Sequence, residues 1–237
     1  MFVINKKKLS IIVPAFNEEK TVGSVVERLL SVPFVNWDVE IIVVNDGSSD
    51  GTKEVLNNFK SVATVLNQEK NSGKGGAVRA GLDVALGDFA IIQDADLECS
   101  PEEIPLLLEA LDDVSIEDKV AVMGSRELGL DTHKSKLIPR LGSLSITKLI
   151  NILYGSSLTD TLMGYKLFPR KTFGNFKAGG FDSEMLFLCS LLRDGYEVRE
   201  VPVSYDPRDK DAGKKISYRH GFIIIRKIIG FWLKGGK

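Results

Sequence analysis

The stretch DFAIIQDAD, residues 88–96, joins a continuous apolar run to acidic residues. An apolar run that lacks alternating polar positions is typical of a strand that is covered on both faces of a sheet. Two similar runs come earlier in the chain, LSIIVP at 9–14 and EIIVVND at 40–46. All three are followed by polar residues, so the predicted strands end in side chains that could bind a ligand.

Helical patterns separate these runs, at residues 18–31, 52–59 and 75–86. In the first of them the apolar spacing predicts an inner face made of Val22, Val25, Val26, Leu29 and Leu30. Strands that alternate with helices predict an α/β domain with a mainly parallel central sheet. Further helices are expected near 101–112, 135–154 and 182–193, and further strands near 120–125, 165–168 and 197–203.

The composition is that of an ordinary globular protein, with 43% hydrophobic and 27% charged residues among 237. Because no linker or repeat interrupts the chain, we expect one domain over residues 1–218, followed by a basic amphipathic segment at 219–237. Cys99 and Cys189 are too few for a disulfide framework, and the first residues lack the pattern of a secretion signal. The sequence therefore predicts a cytosolic, reducing location.

The C-terminal part of the chain is strongly basic, with nine Lys or Arg residues between 207 and 237. Such a segment suits a polyanionic partner, which could be phosphate groups, an anionic membrane or nucleic acid. The alternative is a basic face that only contacts solvent. The tail RHGFIIIRKIIGFWLKGGK at 219–237 is too short in its apolar part to span a bilayer. It could lie in the membrane interface, as could 137–155, or it could pack on the core of the domain.

Acidic residues follow two of the predicted strands. Asp46 ends one strand, and Asp94, Asp96 and Glu98 follow another. Ligands collect at the carboxyl ends of strands in open α/β sheets, where these carboxylates would repel one another unless a cation were bound. An all-oxygen ligand set favours Mg²⁺ or Mn²⁺, which commonly leave coordination positions for substrate phosphates. For an Asp-x-Asp pair alone, the alternative is a pair of turn or capping acids.

The glycine-rich stretch NSGKGGAVRAG, residues 71–81, fits neither a Walker A motif nor a dinucleotide fingerprint. It predicts either a structural turn or a turn that leads into a helix N-terminus, with Lys74 and Arg79 near an anion. Arg126 and Arg140 are expected either near the same edge of the sheet or as solvated surface charges.

Asp182 and Glu184 open another predicted helix, where acids are also common because they suit the helix dipole. The two histidines, His133 and His220, are far apart and away from any nucleophile pattern, so a Ser-His-Asp scheme has no support.

Taken in order, five motifs resemble those of family 2 glycosyltransferases with the A-type nucleotide-sugar fold. They lie at 13–19, 43–52, 71–81, 94–96 and 124–126. Within that family the chain is most similar to the polyprenyl-phosphate sugar synthases, over about residues 9–218. This resemblance implies inverting transfer of a hexose from a UDP- or GDP-sugar to dolichyl or undecaprenyl phosphate, with Mg²⁺ or Mn²⁺. It also implies peripheral contact with the cytoplasmic face of a membrane and no nucleic-acid partner.

The resemblance also implies roles for individual residues. The nucleotide sugar would contact Pro14, Phe16, Glu18, Val44, Asp46 and Ala95, while the metal and diphosphate would be held by Asp94, Asp96 and Glu98. Phosphate groups would be bound by Arg126, Arg208 and Lys214. Two positions depart from the family pattern, since Asn45 replaces a common acid and Phe16 replaces a frequent Tyr.

Two alternatives stay open. A glycosyltransferase that acts on a sugar hydroxyl would need a general base, which Asp182 or Glu184 could supply. A lipid phosphate needs no strong base, because its second pKa is about 6. The chain could also be a module that binds a nucleotide sugar without catalysis.

Overall fold

The computed structural model describes residues 6–129, 137–180, 182–207 and 218–235, apart from the side chains of 137–139 and 218–222. Within these ranges seven strands form one sheet in the order β3-β2-β1-β4-β6-β5-β7. The strands are β1 (Lys7–Ala15), β2 (Trp37–Asn45), β3 (Thr64–Asn67), β4 (Phe89–Ile92), β5 (Val120–Ser125), β6 (Lys166–Pro169) and β7 (Glu197–Pro202). All of them run parallel except β6, which is antiparallel to both of its neighbours.

Helices connect the strands and cover the sheet. They are α1 (Val22–Ser31), α2 (Thr52–Asn57), α3 (Lys74–Val84), α4 (Ile104–Glu109), α5 (Leu137–Tyr154), α6 (Asp182–Arg193) and α7 (Tyr218–Leu233). Short 3₁₀ turns precede α4 at Pro101–Glu103 and follow β6 at Arg170–Asn175. The structure therefore confirms an α/β domain with a mainly parallel sheet and a C-terminal helix.

The central strands are buried on both faces, as their apolar runs predict. Ile11 of β1 packs in a core cluster with Val22 of α1, whereas the next residue, Ile12, packs in a second cluster with Val78 of α3. The inner face of α1 matches the prediction except at Leu30, which is 47% exposed. Leu30 is the last residue but one of this helix and lies at the edge of its buried face, between buried Leu29 and the exposed end of the helix.

The strand order brings the acidic strand ends together. β1 lies between β2 and β4 and is parallel to both, so all three strands end at the same edge of the sheet. Backbone bonds continue this pairing beyond the strands, from Asp46 N to Ala15 O (2.8 Å) and from Gln93 N to Ile12 O (2.9 Å). Because β6 runs in the opposite direction, its first residue, Lys166, starts from this edge as well.

The C-terminal helix packs on the domain. Ile224 and Ile228 of α7 are buried in a cluster with Met185 and Leu188 of α6. This is the packing that the alternative interpretation of the tail expected, and it covers one face of α7. None of the described helices combines the length and the apolar character needed to cross a bilayer.

Candidate active site

The end of β2 is bound to the glycine-rich segment. Asp46 is 2% exposed, and its Oδ1 atom accepts hydrogen bonds from the backbone N (2.8 Å) and the hydroxyl (2.7 Å) of Ser72. Gly47 has φ 68°, and a Cβ on it would lie 2.8 Å from Asn71 N. This turn therefore requires glycine, and it holds the segment that leads into α3 close to the acid.

The predicted nucleotide-binding residues of β1 and β2 lie next to this turn. Pro14 and Val44 are paired in the strand register. Beyond β1, half-buried Phe16 is followed by Glu18, whose backbone N donates to Thr52 Oγ1 (2.9 Å) and whose carboxylate accepts the hydroxyl of Thr21 (2.9 Å). The structure thus gathers the ends of β1 and β2 around Asp46.

Lys74, the first residue of α3, lies at the centre of a charged network. Its Nζ atom is 2.5 Å from Asp94 Oδ1 and 2.7 Å from Glu184 Oε1. Lys166 approaches the other oxygen of Glu184 at 3.3 Å and also donates to Met163 O. Two lysines and two carboxylates from α3, the loop after β4, β6 and α6 therefore meet at the carboxyl edge of the sheet.

The network perturbs the pKa values of its members. Burial alone would raise the pKa of Glu184, but Lys74 and Lys166 outweigh it and hold that pKa below its usual range. Burial would likewise lower the pKa of Lys74, whereas the charges of Asp94 and Glu184 keep it raised. Burial raises the pKa of Asp94. The negative charges of Glu184 and Asp96 raise it further, whereas the charge of Lys74 lowers it. Glu184 is thus an ionised acid held between two cations.

The first turn of α3 is fitted closely against the start of α6. A Cβ on Gly75 would lie 2.5 Å from Ser183 Cβ and 2.7 Å from Gly179 O, so a larger residue cannot be accommodated without a shift. The backbone N of Gly76 also donates to Gly179 O at 3.2 Å. These contacts fix the relative position of Lys74 and Glu184.

The structure does not gather Asp94, Asp96 and Glu98 into a three-acid cluster, and their role as metal ligands stays a prediction. Across the described residues, no group of three or more His, Cys, Asp or Glu side chains is arranged to hold a metal. Glu98 instead accepts the hydroxyl of Tyr205 at 2.5 Å, and Asp94 is paired with Lys74. One or two carboxylates together with substrate phosphates are the usual ligands of Mg²⁺. Asp94 and Asp96 fit that smaller ligand set.

Arg126, directly after β5, is held on two sides. Its guanidinium donates to both oxygens of Asp160, at 2.6 and 2.8 Å, and Asp160 is 1% exposed. The guanidinium also lies over the ring of Tyr205, 4.9 Å from the centroid. Burial would lower the pKa of Arg126, but its hydrogen bonds to Asp160 keep it raised. Arg126 is therefore a fixed, permanent cation.

Three other predicted site residues are engaged elsewhere. Arg79 donates to Phe173 O at 2.6 Å and pairs with Asp83, so its charge is not brought to the acidic edge. Arg140 makes two bonds to Glu127 (3.0 and 2.6 Å), and Asp182 accepts Lys227 Nζ at 2.6 Å.

Arg208 and Lys214, which were predicted to bind phosphate, lie outside the described residues. Four of the six predicted cations are thus either held in structural ion pairs, as Arg79 and Arg140 are, or not described, as for Arg208 and Lys214.

Sequence reasoning missed three residues that this edge brings together. Lys166 contacts Glu184, Asp160 contacts Arg126, and Tyr205 contacts both Glu98 and Arg126. The one available signal was at Lys166, a charged residue inside an apolar run at 165–168 that is 4% exposed in the fold. A lysine so deeply buried requires a partner.

Comparison with known sequences identifies relatives of this chain. A dolichyl-phosphate beta-glucosyltransferase of Trichomonas vaginalis is 34% identical over 226 residues, which cover 87% of this chain and 66% of that relative. An undecaprenyl-phosphate 4-deoxy-4-formamido-L-arabinose transferase of Pectobacterium carotovorum is 34% identical over 163 residues, or 65% of this chain and 46% of the relative. This chain therefore spans about two thirds of the first relative and less than half of the second.

A solved structure shares the fold. The glucosyl-3-phosphoglycerate synthase of Mycobacterium tuberculosis, in complex with UDP, matches with a TM-score of 0.72 at 20% identity, covering 97% of this chain and 80% of that one. At this identity the likeness shows the A-type glycosyltransferase fold. The sequence model described as Glycosyl transferase family 2 matches residues 10–174, which contain the ends of β1, β2, β4 and β5. The chain belongs to glycosyl transferase family 2.

Proposed function

We propose that this enzyme transfers a hexosyl group from a UDP- or GDP-hexose to the phosphate of a polyprenyl lipid, with Mg²⁺ or Mn²⁺. The observation that carries the proposal is the meeting of Asp46, Asp94 and Lys74 at one edge of the sheet. The similarity to a dolichyl-phosphate beta-glucosyltransferase supports the acceptor class and makes glucose the first sugar to test.

The donor would lie across the ends of β1, β2 and β4. Pro14, Phe16, Glu18, Val44 and Asp46 would contact its base and ribose, with Ala95, 4% exposed, at the nucleotide. Asp94 and Asp96 would hold the divalent ion, which neutralises negative charge on the leaving diphosphate. Lys74 places a protein cation beside the same acids.

The acceptor phosphate would attack the anomeric carbon with one of its oxygens. The new bond joins that oxygen to the carbon, the bond to the diphosphate breaks, and the nucleoside diphosphate leaves with inversion of configuration. The phosphate is already ionised near neutral pH, because its second pKa is about 6, so it needs positioning and no strong base. Arg126 is the described cation that is suited to bind it.

The contacts of the two candidate bases favour a phosphate over a hydroxyl acceptor. Glu184 is 7% exposed and lies between Lys74 and Lys166, which lower its pKa and with it its strength as a base. Asp182 accepts Lys227 at 2.6 Å. Both carboxylates are neutralised by lysines, as expected of residues that organise the site.

The lipid acceptor requires contact with a membrane surface, for which α7 is suited. Its exposed side chains include Ile223 (51%), Trp232 (46%) and Leu233 (69%), and Arg226 and Lys234, the latter just beyond the end of the helix, are exposed as well. Apolar and cationic side chains on one exposed helix suit the interface of an anionic bilayer. The enzyme would then act as a peripheral protein on the cytoplasmic face.

The proposal is tested by offering the enzyme a panel of UDP- and GDP-sugars with a polyprenyl phosphate and identifying the lipid product by mass. A water-soluble phosphate monoester and a sugar with free hydroxyls serve as competing acceptors. We expect a hexosyl lipid phosphate from one donor of the panel. Transfer to the sugar hydroxyls alone would contradict the proposal.

A further inference from the structure

One side chain beyond the end of β7 contacts two residues for which roles were predicted. The Tyr205 hydroxyl donates to Glu98 Oε2 at 2.5 Å, and the guanidinium of Arg126 lies 4.9 Å from the centroid of the Tyr205 ring. The backbone reinforces this link, because Asp206 N donates to Glu98 O at 3.0 Å. Tyr205 therefore joins the loop after β4 to the residue that follows β5.

Arg126 is fixed from two directions as a result. In the plane of its guanidinium, Asp160 accepts two of its donors and also the backbone N of Arg126 at 3.1 Å. Across the face of the guanidinium, the ring of Tyr205 supports it through a cation–π contact. A guanidinium held in this way loses less freedom when it binds a phosphate, so it binds that phosphate more tightly.

The hydroxyl of Tyr205 is also held in place, by its hydrogen bond to Glu98. Burial, followed by the hydrogen bond to Glu98, raises the pKa of the Tyr205 phenol, so the hydroxyl stays protonated and donates. The Glu98 carboxylate thereby determines where the ring lies.

We infer that Tyr205 is a positioning residue for Arg126 and that Glu98 serves to anchor the Tyr205 hydroxyl rather than to bind the metal. The inference rests on the proposed function, in which Arg126 binds the acceptor phosphate. It assigns different parts of one side chain to different tasks: the ring supports Arg126, and the hydroxyl orients the ring.

These tasks can be separated by measuring the affinity of farnesyl phosphate calorimetrically. Tyr205→Leu removes the ring and should weaken binding about tenfold. Tyr205→Phe keeps the ring and should cause a smaller loss. Glu98→Gln, whose amide oxygen still accepts the hydroxyl, should lose less than Glu98→Ala. Because Tyr205→Phe and Glu98→Ala break the same hydrogen bond, the double variant should be no worse than the more affected single variant.

Tyr196 supplies a matched control. It is half-buried, with Lys171 Nζ 5.9 Å from the centroid of its ring, and it directly precedes β7 at the opposite edge of the sheet. Tyr196→Phe and Tyr196→Leu should bind farnesyl phosphate as the wild type does. Thermal unfolding of every variant shows whether a loss of affinity follows a loss of stability.

A titration with Mn²⁺ in the presence of UDP or GDP provides the second readout. If Glu98 anchors Tyr205, Glu98→Ala keeps the metal affinity while it loses affinity for farnesyl phosphate. A large and equal loss of metal affinity in Glu98→Gln and Glu98→Ala would place Glu98 on the metal and overturn the inference. Equal affinities of Tyr205→Leu and Tyr196→Leu for farnesyl phosphate would overturn it as well. If the wild type binds no farnesyl phosphate, the proposed function is contradicted, and the inference that rests on it is contradicted too.

Discussion

Lys74 and Asp94 form an ion pair of 2.5 Å that ties the first turn of α3 to the end of β4. The same lysine is 2.7 Å from Glu184, so α6 joins the pair as well. Removing one partner from such a network leaves uncompensated charge on the others, which is costly at a partly buried site. The three elements therefore hold one another in register at the edge where the substrates would bind.

Asp182→Asn tests whether this acid is a general base. We expect activity toward a polyprenyl phosphate to stay within about tenfold of wild type, because a base contributes about 10²–10⁴ to the rate and an ionised phosphate needs none. Steady-state rates across pH, together with thermal unfolding, provide the measurement. A thousandfold loss in a folded variant would assign the base role to Asp182 and favour a hydroxyl acceptor.

Gly75→Ala tests the close contact between α3 and α6. The added Cβ would meet Ser183 Cβ at 2.5 Å and Gly179 O at 2.7 Å, so we expect a loss of about 1–3 kcal/mol in unfolding free energy, together with lower activity. Gly142→Ala is the matched control, since nothing lies within 4 Å of its added Cβ on α5. That variant should gain about 0.5–1 kcal/mol. Equal stabilities of the two variants in denaturant would contradict the packing.

Much of the fold could be predicted from the sequence because buried parallel strands are marked by unbroken apolar runs. The run at 120–125 coincides with β5. The strand β3 was missed because it has only four residues, of which two, Val65 and Leu66, are apolar and none is fully buried. The reversed direction of β6 could not be predicted, since an apolar run is the same for a strand in either direction.

Asp160→Asn tests the electrostatic support of Arg126 through pH. Burial raises the pKa of Asp160, but Arg126 outweighs it, and the pKa stays below its usual value of about 3.9. A carboxyl group whose pKa is lower in the folded than in the unfolded state stabilises the protein when the pH is above its unfolded-state pKa. This stabilisation is lost as the pH falls through the folded-state pKa. We expect the variant to lose about 2 kcal/mol near neutral pH, with the difference from wild type shrinking below about pH 4.

The control for this variant is Asp113→Asn, which breaks the ion pair of Asp113 with Arg199. Asp113 is largely exposed, so its loss should change stability far less. Urea unfolding of both variants between pH 3 and 7 measures the differences. A pH-independent loss in Asp160→Asn would show that its charge is not the cause.

The membrane role of α7 is tested by the double variant Trp232→Ser and Leu233→Ser. We expect at least about tenfold weaker binding to anionic vesicles in a flotation assay, because each apolar side chain contributes about 1.5–3 kcal/mol when fully buried and part of that when partly inserted. Leu86→Ser, at a residue that is 61% exposed before β4, should bind as wild type does. Deleting the helix would be less informative, because it would uncover Met185 and Leu188 of the core. If the double variant floats with the vesicles as wild type does, the interfacial role of α7 is contradicted.

The candidate site was predictable in part, for a physical reason. Asp46 and Asp94 follow apolar runs, and the carboxyl ends of neighbouring parallel strands meet at one edge of a sheet. The partners of these acids depend on the topology. Tyr205 contacts Arg126 because β7 pairs with β5, which sequence spacing does not reveal. The partner of Glu98 also depends on the topology. The sequence predicts Glu98 as a metal ligand, and in the fold its carboxylate accepts the hydroxyl of Tyr205.

The most direct measurement is the formation of hexosyl polyprenyl phosphate by wild type, Asp96→Asn and Asp38→Asn, each with Mg²⁺ and with excess chelator. Asp38 is exposed near the start of β2, at the opposite edge of the sheet, and serves as the control. We expect lipid product from wild type and Asp38→Asn only with the metal, and at least about a hundredfold less from Asp96→Asn. Full product formation by Asp96→Asn, or by wild type in chelator, would contradict a metal-assisted transfer at this acidic edge.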